Sequence, residues 1–279
     1  MRIGAGSADP ARYLTDWGKG MAPLSKIAIS GKGGVGKTSL SALLAHIYAE
    51  RGRDVTVIDA DPVGGLAQAL GFPADLVAKV KPISEMEDLI YERTGAKPGT
   101  SGGFFSMNPR VDDIPERFSV SHRGIRFLRL GTIDIGGSGC ICPESALLRA
   151  LVTHLLLYRD EMLILDMEAG VEHLGRATAQ AVDAFLVVLE PGRRSLTTAE
   201  RVRELAGDLG ITHVYAVGNK VRGDEDRAFL QEQSPVPVLG FLSMNPDLTN
   251  ADMRGDGVFD AAPKSVEEVR EMVAALEAL

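Results

Sequence analysis

The sequence predicts an α/β fold: a mostly parallel central sheet with helices on both faces. Three observations predict it. Short segments that are apolar at nearly every position recur along the chain, as strands buried on both faces require. Segments of helical periodicity alternate with them, as parallel crossovers require. The first apolar segment runs into a glycine-rich turn and straight on into a helix, the strand–loop–helix unit that opens many such sheets.

In chain order, residues 1–23 carry Gly4, Gly6, Pro10, Gly18, Gly20 and Pro23 and no sustained period. They read as a flexible extension, or as the product of an upstream start whose natural counterpart is Met21. Residues 24–279 are expected to form one domain. Strands are expected at 26–30, 54–59, 126–130, 162–166, 184–189, 213–217 and 236–240. Helices are expected at 37–51, 144–158, 174–181, 195–209, 224–233 and 264–279. Residues 72–125 are rich in Pro, Gly, Ser and charge with weak periodicity, and read as an insertion with a short helix around 84–93.

Composition narrows the function. The chain has 279 residues, is 45% hydrophobic and carries a formal charge of -8 with pI near 5.2. An acidic surface disfavours nucleic acid and anionic lipid as partners. No apolar run reaches the roughly 20 residues of a membrane span, and the first residues lack the apolar core of a secretory signal, so a cytoplasmic location is expected. Two cysteines exclude a disulfide scaffold.

Residues 31–38 read Gly-Lys-Gly-Gly-Val-Gly-Lys-Thr and satisfy GxxxxGK[ST] at every fixed position, in the required strand-to-helix context. Glycines let backbone N–H groups turn inward around phosphate oxygens, and the helix N-terminus adds a favourable dipole. Gly33, Gly34, Val35, Gly36, Lys37, Thr38 and Ser39 are the expected phosphate-binding residues. Lys37 is expected on the β- and γ-phosphates and Thr38 on Mg²⁺. The bland alternative, a chance glycine turn, does not explain both flanking elements.

Lys32 is a second lysine inside the loop, and on its own it reads as a solvated surface residue. With it, however, KGGVGKT resembles the signature of the deviant Walker A ATPases, among them the MinD, ParA and nitrogenase iron-protein families. The resemblance implies a nucleotide-bridged homodimer in which Lys32 contacts the phosphates of the other subunit. It implies that Asp61, in Asp59-Ala60-Asp61-Pro62, orients the attacking water and that Asp59 supports the magnesium shell. It implies that Asp166 closes a Walker B-like strand and binds Mg²⁺ through water. It further implies that Asn219, with Lys220, reads the adenine edge of ATP. At position 243 relatives place proline and this chain has serine, so no base contact is assigned to residues 239–245.

Cys140 and Cys142 sit in a glycine-flanked CxC just before a helix, with Pro143 suited to its first position and Glu144 to its first turn. A helix N-terminus is expected to lower thiol pKa and favour the metal-binding thiolate. Two sulfurs cannot complete a tetrahedral site; two copies across a two-fold axis give Cys₄, suited to Zn²⁺ or Ni²⁺. Incidental inert cysteines are the alternative. The uninterrupted run Asp166-Met167-Glu168-Ala169-Gly170-Val171-Glu172-His173-Leu174-Gly175-Arg176, with Glu190-Pro191-Gly192-Arg193-Arg194-Ser195, resembles the CooC branch of this class. That resemblance implies an accessory ATPase for nickel insertion into carbon monoxide dehydrogenase, or a paralogue serving acetyl-CoA synthase. His173 reads as structural, and Glu168 and Glu172 as switch residues. An Fe–S scaffold and a MinD/ParA-like partitioning ATPase are the alternatives; the acidic tail at 265–279 disfavours membrane docking.

Overall fold

A computed structural model describes residues 24–61, 64–99, 104–131, 142–167 and 181–278. The described elements are β1 (Lys26–Gly31), α1 (Lys37–Glu50), β2 (Val55–Ala60), α2 (Leu66–Ala69), α3 (Ala74–Val77), a 3₁₀ turn (Ile83–Glu85), α4 (Glu87–Thr94), α5 (Ile114–Phe118), β3 (Val120–His122), β4 (Ile125–Arg129), α6 (Pro143–Tyr158) and β5 (Met162–Met167). Then follow β6 (Ala184–Leu189), α7 (Arg193–Leu209), β7 (Val214–Val221), α8 (Asp224–Gln233), β8 (Val238–Ser243), α9 (Pro246–Arg254), α10 (Val258–Ala261) and α11 (Pro263–Glu277).

The strands form one sheet in the order β3-β4-β2-β5-β1-β6-β7-β8. Each pairing is parallel except β3 with β4. The two-residue period of a strand divides each apolar run between two cores. Ile27, Ile29, Val55, Val57, Met162, Ile164, Leu186 and Val188 join α1 and α11 on one face. Ala28, Ile58, Leu163, Leu165, Phe185 and Val187 join α6 and α7 on the other. Both faces are therefore dry, which is why these strands read as continuous apolar segments rather than alternating ones. The chain leaves β1 toward β2 on one side and later builds β6, β7 and β8 on the other. That change of direction opens a crevice at the carboxyl end of β1.

Several boundaries move for identifiable reasons. The strand expected at 213–217 runs on to Val221 because β8 pairs beside it through two register irregularities, which makes Asn219 and Lys220 strand residues. The strand expected at 236–240 begins instead at Val238, because Pro237 has no N–H to give the ladder. Within 72–125 the chain forms pieces too short to show a period, yet Ile83, Leu89, Ile90, Val111 and Ile114 are buried in the same core as Leu147 and Leu151 of α6. The sequence pattern does not predict helix α9, although Asn245 and Pro246 mark its start; the Asn245 side chain accepts from the Asp247 N–H at 3.0 Å. The helix expected at 174–181 lies outside the described residues. Among the described residues no helix is long and apolar enough to cross a membrane.

Candidate functional site

The loop between β1 and α1 lies at the carboxyl edge of the sheet, beside the ends of β5 and β6. Gly36 takes the left-handed φ of 99°, and a Cβ there would stand 2.1 Å from Asn219 Nδ2, so this turn admits only glycine. Lys37 opens α1 and is buried, its Nζ 3.5 Å from the Lys32 carbonyl oxygen. Lys32, Gly33 and Gly34 are exposed at the tip of the loop, whereas Val35 is buried beneath it. Thr38 and Ser39 are half-buried and line the cleft with Gly34 and Gly36.

Two carboxylates face this loop. Asp59 and Asp166 are direct neighbours across β2 and β5. By strand parity both point to the α1 face, where Lys37 and Thr38 sit. Each is about 1% exposed. Burial pushes Asp166 up to about 7, with the charge of Asp59 adding to it; the Thr38 hydroxyl and Lys37 temper the rise. Burial also pushes Asp59 up to about 6, and its contact with the Asp61 N–H, at 3.1 Å, works the other way. Neither Asp166 oxygen has a hydrogen-bond partner in good geometry among the described residues. A buried, unpartnered carboxylate is costly unless a cation completes it. The donor set of Thr38 hydroxyl and two carboxylates, all oxygen, fits Mg²⁺.

These shifts have a signed consequence. Between the ordinary value near 3.8 and the raised values of about 6 and 7, the folded chain keeps protons that the unfolded chain has released. Stability of the nucleotide-free protein therefore falls as pH rises through that window and levels off above it. The melting temperature is expected to drop from pH 5 to pH 7.5. Asp166→Asn is expected to flatten the drop; an equally steep profile in that variant contradicts the assignment.

Behind the loop, Asn219 Nδ2 donates to the Val35 carbonyl at 2.6 Å and its Oδ1 accepts the Lys220 N–H at 2.7 Å. The base contact expected of Asn219 requires its amide to leave Val35. Lys220, at a left-handed φ of 56°, donates through Nζ to the Gly34 carbonyl at 2.7 Å and pairs with Glu190. Glu190 opens the run 190–195, in which the sequence pattern gives this residue no role; its place at the end of β6, next to β1, is the available signal. Asp61 stands half-buried just past β2. A cleft of about 440 Å³ extends from the phosphate loop past Gly64 and Gln68 to Ser243, Met244 and Leu248. These latter residues carried no assignment in the sequence.

Cys142 caps α6, with Pro143 at its first position. Because α6 follows β4 and precedes β5, its N-terminus lies at the same sheet edge as the phosphate loop. The thiol is half-buried and donates to Ser145 Oγ at 2.9 Å. Its pKa is raised, against the lowering expected from the helix terminus: burial dominates and the Glu144 carboxyl adds to it, outweighing the Ser145 contacts. Cys140, and the run 168–176 past Met167, lie outside the described residues. Among the described residues no group of three or more His, Cys, Asp or Glu side chains could hold a metal ion.

Residues 26–258 match the family model described as the CobQ/CobB/MinD/ParA nucleotide binding domain. The chain is 44% identical over 252 residues to the carbon monoxide dehydrogenase accessory protein CooC of Rhodospirillum rubrum, covering 90% of this chain and 95% of that protein. It is 43% identical over 249 residues to an uncharacterised ATP-binding protein of Methanocaldococcus jannaschii, covering 88% and 95%. The MinD cell division protein of Aquifex aeolicus in its MinC:MinD complex shares the fold, with a TM-score of 0.64 at 20% identity over 91% of this chain and 96% of that one. The Pyrococcus horikoshii MinD complexed with Mg-ADP does likewise, at a TM-score of 0.61 and 18% identity over 91% and 95%.

Proposed function

Since the chain belongs to the CobQ/CobB/MinD/ParA nucleotide-binding family and is a homologue of CooC, we propose that it is a dimeric, cytoplasmic ATPase that carries nickel to carbon monoxide dehydrogenase or to a related acetyl-CoA synthase. In this reading residues 24–279 act as one domain, behind an N-terminal extension. The observation that supports it most is the pair of buried carboxylates, Asp59 and Asp166, set against Lys37 and Thr38 at the phosphate loop. Such a site neutralises and positions a nucleoside triphosphate, and hydrolysis needs little else from the protein. Mg²⁺, held by Thr38 and, through water, by Asp166, would supply charge neutralisation at the phosphates. Asp61 would hold the attacking water and Asn219 the base edge.

The exposure of Lys32 at the loop tip supports its role in trans: in this reading its side chain would reach the phosphates of a second copy in the ATP-closed dimer. Cys142, the described end of the CxC motif, lies at the same sheet edge, and in this reading closure of two copies there would bring four thiolates around one cargo ion. ATP would then change the geometry of that site, and by linkage the ion would change ATP affinity equally.

Lys32→Ala tests the trans role. The variant is expected to keep its fold and most of its ATP binding as a monomer, while its turnover falls by roughly a hundredfold or more. Mixing it with a hydrolysis-dead Asp61→Asn partner distinguishes cis from trans action. Partial recovery in the mixed dimer is the expected outcome; unchanged turnover in Lys32→Ala alone reduces the residue to a surface lysine.

A further inference from the structure

Asp61 stands at the head of a segment that two charged side chains hold. The Asp59 carboxylate accepts the Asp61 N–H at 3.1 Å and also the Leu66 N–H, so it ties both ends. Between those ends, the Gly64 N–H donates to the Asp61 carbonyl at 3.1 Å, so whatever fixes Gly64 also fixes Asp61. Gly64 lies under the guanidinium of Arg129, the last residue of β4. A Cβ on Gly64 would stand 2.7 Å from Arg129 Nη2 and 3.2 Å from its Cζ. The guanidinium therefore fills the place of the missing side chain, and at a φ of 74° glycine is the residue that admits it.

Arg129 is itself firmly placed. It is the direct neighbour of Asp59 across β4 and β2, so the two side chains share the α1 face. The chain just past it is tied on both sides: the Leu130 N–H donates to the Asp59 carbonyl at 2.9 Å, and the Leu130 carbonyl accepts the Ser84 N–H at 3.0 Å. Arg129 Nε is buried and has no hydrogen-bond partner among the described residues, a costly way to hold a cation that serves packing alone. At Asp59 burial dominates and the Arg129 charge opposes it, so the two groups feel each other. β4 stands three strand spacings from β1, roughly 14 Å, which sets Arg129 beside the Asp61 segment rather than against the phosphates. We propose that Arg129 is a positioning residue for hydrolysis: seated on Gly64, its guanidinium fixes the segment from which Asp61 holds the attacking water. This rests on reading the protein as an ATPase with Asp61 at the water. Displacing a catalytic group by about 1 Å can cost on the order of a hundredfold in rate. Binding of the nucleotide falls to Lys37, Thr38 and the phosphate loop, so Arg129 acts on turnover and not on affinity.

The test measures MgATP turnover of the full chain beside its MgATP affinity by calorimetry. Arg129→Ala is expected to lower kcat by about ten- to a hundredfold and to leave the affinity within about twofold of the wild type. Arg129→Lys, which keeps the charge but not the planar fork, is expected to recover part of the loss. Gly64→Ala leaves Arg129 in the chain but occupies its seat, and it is expected to lower kcat in the same way. Its effect is expected to shrink in the Arg129→Ala background, where the seat is empty. Should Arg129→Ala fail to fold, Arg129→Gln removes the charge while keeping an N–H donor, with the same split expected between kcat and affinity. Wild-type kcat in the folded variant, or kcat and affinity falling by the same factor, overturns the proposal while the ATPase reading stands. A wild-type protein that turns over no ATP overturns the ATPase reading, and the role of Arg129 with it.

Discussion

Replacing Lys37 by alanine is expected to abolish ATP hydrolysis, by roughly a thousandfold or more, and to weaken MgATP binding sharply. The expectation follows from where the side chain lies. Lys37 is buried at the first turn of α1, and its ammonium has one long contact, 3.5 Å to the Lys32 carbonyl. That contact is too weak to be the reason for burying a cation. The ammonium also faces the buried Asp166. A bound triphosphate would supply the missing anion, and charge building on the transferred phosphoryl group would draw on Lys37 more strongly than the ground state does. Because the hydrogen bond its side chain makes among the described residues is this long one, the variant is expected to stay folded, which its melting curve checks. Retained turnover in a folded Lys37→Ala protein would remove the phosphate assignment altogether.

Much of this site was legible because its signals are local. The spacing of Gly31, Gly36, Lys37 and Thr38 fixes a loop between a strand and a helix whatever the rest of the chain does. Asp59 and Asp166 each end an apolar run, and their meeting across β2 and β5 follows from the parallel order that those runs imply. What the sequence could not show is what long-range contacts decide. Asn219 is locked to Val35, 184 residues away, and that contact exists only because β7 extends to Val221. Glu190 and Lys220 meet across two strands. The cleft wall at Ser243 depends on Glu268, 25 residues on in another helix. The Cys142 thiol shows the same limit. A helix terminus is visible in sequence and favours the thiolate, but the burial and the Glu144 carboxyl that outweigh it come from packing.

That raised thiol pKa sharpens the second large expectation. Metal binding must displace the thiol protons, so affinity is expected to fall as pH is lowered, and the raised value at Cys142 carries that fall to higher pH. Cys140→Ser with Cys142→Ser is expected to leave MgATP binding intact, since Cys142 does not line the described cleft, and to remove tight Ni²⁺ or Zn²⁺ binding. One CxC per chain supplies two sulfurs; a closed site of four then needs two chains and holds one ion per dimer. An ion bound only by the pair must also promote association at low protein concentration.

The most direct measurement is a Ni²⁺ titration of the full chain, with and without MgATP, read together with its sedimentation. The account predicts one ion per two chains with sulfur ligation, dimers that persist at lower protein concentration when the ion is bound, and an ion affinity that MgATP changes by the same factor by which the ion changes MgATP affinity. One ion per monomer, with no effect on association and no response to MgATP, would contradict it.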